Sequence, residues 1–179
     1  MLKFPFNPSV QTTGLGRICD VAFHHTDNQI IYAVSSSGGL FKTENEDQTW
    51  KAISDTLVVL NCASVAIKPD NGNYILLGTG DANYNSTSKA QGVYKSVDGG
   101  KTWVLSNTSM GNKLVSKIYF HPTQTNMVWA ACSDGIYKSI DAGATWILKS
   151  TVATSYRSLE LKARATTKTL FALSVADFY

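Results

Sequence analysis

Apolar and polar residues alternate along this chain in short runs of about five, and no segment holds helical spacing. The runs recur as one phrase. VAFHHTDNQIIYAV at 21–34, VAIKPDNGNYILLG at 65–78 and IYFHPTQTNMVWAA at 118–131 align without a gap. LELKARATTKTLFALS at 159–174 repeats the phrase with about one extra residue. Each phrase pairs two strand-like runs across a polar turn. After each of the first three comes a glycine-led run: GLFK at 39–42, GVYK at 92–95 and GIYK at 135–138. A polar turn ending in tryptophan follows, and then a last short strand. The tryptophans fall at 50, 103 and 146. Four antiparallel strands per roughly 40–50 residues predict the blade of a β-propeller. The expected fold is all-β, with three four-stranded blades and half of a fourth. The expected limits are 17–54, 55–106, 107–150 and 151–179, after an N-terminal segment 1–16 that lends an outer or closing strand.

The polar turn is written twice in full, SVDGGKTW at 96–103 and SIDAGATW at 139–146, and once in altered form, TENEDQTW at 43–50. A catalytic loop needs one copy, so repetition points to architecture. Asp98 and Asp141 are placed to accept hydrogen bonds from backbone N–H groups of their own turn. Gly100 and Gly143 suit a positive φ. Trp103 and Trp146 are expected to bury their rings against the neighbouring blade. In the altered copy Asn45 replaces the aspartate and Asp47 the glycine, ahead of Trp50. Asn caps as well, and Asp tolerates the left-handed region, so this hairpin is expected to survive.

Composition narrows the function classes. The 179 residues are 44% hydrophobic and 16% charged, which excludes disorder. The formal net charge is +3 and the basic residues are scattered, which gives no nucleic-acid footprint. No apolar run approaches the ~20 residues of a membrane helix, so membrane insertion is not expected. MLKFPFNPSV has no apolar core of a signal peptide. Cys19, Cys62 and Cys132 lie in apolar runs with no Cys-x-x-Cys pair, and are read as small buried hydrophobes. His24 and His25 look like a metal pair. Yet Lys68 holds the position of His24 in the next repeat, so they are read as turn residues, with no metal or cofactor.

The turn S-x-D-x-G-x-T-W resembles the Asp-box, or BNR, repeat. The phrase GLGRICDVAFHHTDNQIIYAVSSSGGLFKT resembles the propellers of sortilin-like and xyloglucanase-like proteins. Sialidase-like propellers of secreted bacterial proteins and a photosystem assembly-factor propeller look similar. The resemblance covers roughly residues 14–175 and implies a fold, not one function. It also implies that ligands bind on the face opposite the box turns. That face holds the 80–92 loop, with Asp81, Asn83 and Tyr84, and the turns carrying Ser36 and Asp134. These five are the candidate ligand contacts.

The resemblance can be tested for chemistry. In the xyloglucanase-like family a catalytic base is an Asp in the turn where this chain has Ser36. Glycoside hydrolysis needs two carboxylates flanking one bond. The sialidase Phe/Tyr-Arg-Ile-Pro motif is absent, and no motif supports Arg17, Arg157 or Arg164 as ligands. No catalytic residue is assigned. The expected function is a non-catalytic module that binds a protein or glycan, or acts as a scaffold in a larger propeller. Self-association that completes the ring belongs to the same reading. So does a secreted or cell-surface location, which rests on the resemblance. The alternative is the N-terminal part of a glycoside hydrolase whose acids lie mostly elsewhere.

Overall fold

A computed structural model describes residues 17–81, 89–150, 152–163 and 168–174. The described residues form four antiparallel sheets and no helix. The first sheet holds β1 (Ile18–Phe23), β2 (Ile31–Ser35), β3 (Gly39–Thr43) and β4 (Lys51–Ala52). The second holds β5 (Cys62–Lys68), β6 (Asn71–Thr79), β7 (Val93–Ser96) and β8 (Val104–Leu105). The third holds β9 (Val115–Phe120), β10 (Val128–Cys132), β11 (Gly135–Ser139) and β12 (Ile147–Leu148). The last sheet is the pair β13 (Tyr156–Ala163) and β14 (Lys168–Ser174). Strand order within each sheet follows the chain. The first strands pack beside one another, β1 on β5, β5 on β9 and β9 on β13. This is a β-propeller of three whole blades and two strands of another, with the first strands innermost. The N-terminal segment 1–16 lies outside the described residues.

The core sits between blades. Alternate residues of β6 serve both interfaces. Ile75 and Leu77 join Tyr32, Val34, Leu40 and Val65 against the first blade. Leu76 joins Val115, Ile118, Val128 and Trp146 against the third. A strand that is apolar on both faces has no solvent side, which explains the unbroken run YILLG. The outermost strands differ from expectation. They are two residues long, not five, with both residues exposed. Short edges offer little unpaired backbone for another strand to join.

The tryptophan-ended turns connect the third and fourth strands of each blade. Asp98 Oδ1 accepts from the backbone N of Lys101 (3.0 Å) and Thr102 (2.9 Å), and from Ser96 Oγ (2.8 Å). Thr102 Oγ1 donates to Asp98 Oδ2 at 2.6 Å. Asp141 repeats this with Ser139, Thr145 N and Thr145 Oγ1. In the altered turn Asn45 Oδ1 accepts from Thr49 N at 2.9 Å, and the amide polarity inverts one bond. There Asn45 Nδ2 donates to Thr49 Oγ1 at 2.9 Å. Gly100 (φ 91°) and Gly143 (φ 90°) are left-handed, and Asp47 holds the same region at 75°. The backbone at Asp47 therefore carries strain that its glycine sisters avoid.

The second and third turns also fasten their blades to the one before. Trp103 Nε1 donates to the Ile53 carbonyl, and Trp146 Nε1 to the Ser106 carbonyl, both at 2.8 Å. Ile53 and Ser106 hold the same repeat position, three residues after a box tryptophan. Tyr74 Oη donates to the Ala142 carbonyl at 2.7 Å, a further tie between the second and third blades, and burial pushes the Tyr74 hydroxyl up to about 12.

Candidate functional site at the axial mouth

The inner strands begin at one end of the propeller axis. Each has one bulge there. Cys19 is skipped between Ile18 and Asp20, and Ala63 between Cys62 and Ser64. Ser116 is skipped between Val115 and Lys117, and Arg157 between Tyr156 and Ser158. A bulge turns one side chain out of the strand's alternation and re-aims it. All four bulged residues line one cleft of about 280 Å³, with Arg17, Ile18 and Asp81. No residue type is shared among the four, so no sequence motif marks the position. Only strand register reveals it.

Arg17 Nη2 donates to both carboxylate oxygens of Asp81, at 2.7 and 2.9 Å. The Asp81 side chain is 7% exposed and that of Arg17 48%. Asp81 is thus a buried partner in an ion pair joining the first two blades, not a solvated turn residue. The loops beside it are tied in the same way. Ser36 N donates to the Arg17 carbonyl, Asn61 Nδ2 to the Ser36 carbonyl, and Gly80 N to the Asn61 carbonyl. Ser36 itself is buried. Asp134 stands apart from this cleft. It pairs with Lys113 at 2.6 Å and accepts from Tyr137 Oη at 3.2 Å. Each candidate carboxylate faces a basic group, so Asp81 and Asp134 do not combine as a cation site. Among the described residues no cluster of His, Cys, Asp and Glu could hold a metal. Asn83 and Tyr84 lie outside the described residues.

Below the mouth a polar belt crosses three blades. Asp20 Oδ2 accepts from Ser64 Oγ (2.8 Å) and Val65 N (3.1 Å), while Lys117 Nζ donates to Asp20 Oδ1 at 2.8 Å. Ser64 Oγ in turn accepts from Ile118 N at 2.9 Å. The Ser116 hydroxyl, buried at the cleft wall, has no hydrogen-bond partner among the described residues. Two guanidinium groups and this hydroxyl make the cleft a donor-rich site. Its one carboxylate among the described residues is already neutralised by Arg17.

Other sequence candidates resolve as structure. His24 Nδ1 accepts from Asp27 N at 3.1 Å, and His121 Nδ1 from Gln124 N at 2.9 Å. Both rings cap the turn after an inner strand. Cys62 and Cys132 are fully buried, and burial pushes the Cys62 thiol up to about 12. Cys19 departs from the buried-hydrophobe expectation, because its bulge places it on the cleft wall.

No protein-family model matches the chain, and none of the curated proteins matches it in sequence. Solved structures do match in fold. The chain is similar to an ancestral GH74 enzyme, with 20% identity and a TM-score of 0.67 over 93% of this chain and 25% of that one. It is similar to YCF48 bound to D1 peptide, with 19% identity and a TM-score of 0.60 over 87% of this chain and 49% of that one. An auxiliary nutrient binding protein from Bacteroides thetaiotaomicron gives 8% identity and a TM-score of 0.64 over 90% of this chain and 37% of that one. The chain therefore spans a quarter to a half of the length of these proteins. At such identities the likeness carries the propeller fold alone.

Proposed function

We propose that this chain is part of a non-catalytic propeller of the Asp-box type, which binds a polar segment of a protein or glycan partner at the axial mouth. The observation that carries the reading is the convergence of four bulged residues, one from each inner strand, on a donor-rich cleft. Arg17, Ser116 and Arg157 suit an anionic or carbonyl-rich group. Glycoside hydrolysis needs a pair of carboxylates, and among the described residues this cleft offers Asp81 alone, already paired with Arg17. The three structural neighbours above include an enzyme, a protein bound to a peptide and a nutrient binding protein, which suits a module whose fold serves several ends. A secreted or cell-surface location belongs to this proposal.

The second reading keeps the chain as a fragment of a glycoside hydrolase, and the fold match to the GH74 enzyme favours it. One experiment separates the two. Isotope-labelled chain is titrated with a xyloglucan oligosaccharide and, separately, with a short peptide ending in a free carboxylate. The amide signals of Cys19, Ala63 and Ser116 are expected to shift with one probe, and Arg157→Ala is expected to abolish the shift. Shifts confined to other residues sink the mouth as the site. Release of reducing sugar from xyloglucan by the chain sinks the non-catalytic reading.

A further inference from the structure

The opposite face, where the tryptophan-ended turns lie, carries a cleft of about 300 Å³ between the first and second turns. Its walls are Lys42, Glu44, Asn45 and Lys51 from the first blade and Gly99, Gly100 and Lys101 from the second, with Ile53 also in the lining. Lys42 is held in place. Its Nζ donates to Glu44 Oε1 at 2.7 Å and lies 5.6 Å from the centre of the Tyr32 ring. Lys51 and Lys101 are exposed. Glu44 is the one carboxylate in the lining. Its bond to Lys42, then the charges of Lys42, Lys51 and Lys101, hold it below the usual carboxylate range. Glu46 and Asp47 belong to the same turn but do not line the cleft.

The repeat supplies its own control. The second and third turns hold the same hydrogen bonds with no counterpart of Glu44 or Lys51, and the third also has none of Lys101. Where the first blade has Lys51, its sisters have Val104 and Ile147. Where it has Glu44, they have Val97 and Ile140. Where the second turn has Lys101, the third has Ala144. Most telling is Asn45. It makes the backbone bond that Asp98 and Asp141 make, yet carries no negative charge. The corresponding position between the second and third turns has one lysine, Lys95, beside the anionic Asp98. Two lysines are added, one aspartate becomes an amide and one carboxylate, Glu44, is added at the wall of a single cleft, and packing requires none of the four changes.

We propose that this cleft is a binding site for an oxyanion, a sulfate, phosphate or carboxylate group, gripped by Lys42, Lys51 and Lys101 with Asn45 as a neutral wall. The site lies on the face away from the axial mouth and does not depend on the function proposed above. Three ammonium groups against the single carboxylate of Glu44 give the lining a net positive charge, and Ile53 adds an apolar surface that suits the ring of an acidic sugar.

The test is an amide-shift titration of the isotope-labelled chain with sodium sulfate, sodium phosphate and a sulfated disaccharide at constant low ionic strength. Lys42, Lys51, Gly99 and Lys101 are expected to shift together, with a dissociation constant of roughly millimolar for the inorganic ions. A disaccharide that binds at least about tenfold more tightly identifies an acidic sugar as the ligand. Equal affinity of all probes identifies a bare oxyanion site. The variant Lys51→Val with Lys101→Ala, which restores the sister residues, is expected to weaken binding about tenfold or more without unfolding. Asn45→Asp is the decisive second variant. It restores the common turn residue, so a purely structural Asn45 predicts unchanged or better binding and stability, whereas the proposal predicts weaker binding in a stable fold. Absence of shifts at the cleft, or equal shifts at the sister amides Ala142 and Gly143, overturns the proposal.

Discussion

Trp146 and Trp103 make the same hydrogen bond at the same repeat position, and differ in burial. Trp146 is 1% exposed within the interface between the second and third blades. Trp103 is half-buried and packs on the edge of the cluster between the first and second. Trp146→Ala is expected to cost about 3–5 kcal/mol in chemical denaturation, and Trp103→Ala clearly less. Equal costs would show that the shared hydrogen bond, not buried area, sets the contribution. The turn aspartates add a pH dependence. Hydrogen bonds from the Thr102 hydroxyl and backbone hold the Asp98 carboxyl below its ordinary range. At Asp141 burial pushes upward, but bonds from Ser139 and Thr145 outweigh it and the result is also lowered. A carboxyl with a depressed folded pKa contributes stability above its unfolded pKa and loses it as pH falls through the folded value. Melting temperature is therefore expected to fall in acid, and Asp98→Asn should flatten that slope, as Asn45 already does in the first turn. Parallel acid slopes for the two proteins would disprove the link.

Elements show how the repeat divides labour. The inner strands carry the bulges and line the mouth, the second strands supply both interfaces, and the two-residue outer strands close each blade. The turns hold the blades together through tryptophan and the backbone three residues beyond the previous one. This arrangement was legible where a residue type had to recur. Gly100 and Gly143 sit where φ is positive, and the spacing of the tryptophans set the period. Asp47 was legible too, as a residue that tolerates the left-handed region better than most. The bulges were not. A bulge is a mismatch between two strands, and nothing in one strand's alternation records it when the bulged residues are Cys, Ala, Ser and Arg.

At the scale of the molecule, the sheet β13–β14 has two strands among the described residues where its neighbours have four. Phe171 and Leu173 on β14 are 54% and 42% exposed, and Phe23 on β1 is 66% exposed. An apolar strand whose outer edge meets no other strand among the described residues is a template for another strand. The chain by itself is expected to associate in light scattering after size exclusion, with a mass that rises with concentration. A monomer mass that holds across concentrations would mean that the edge is covered within the chain, and that the ring does not need a second copy.

Local rules carried the strand content, the repeat, the turn chemistry and the propeller, because each depends on residues within a few positions of one another or on a period. The partner of Asp81 lay beyond such rules. Arg17 stands 64 positions earlier, and the two meet only because the first inner strand packs beside the second blade. The same holds for Ser36, whose neighbours come from the segments before β1 and β5, and for Lys101, which joins Lys42 and Lys51 across a blade interface. The chain alone determined what each blade is. Which side chains share a cleft was decided by packing blades around an axis, since that brings together positions a whole repeat apart.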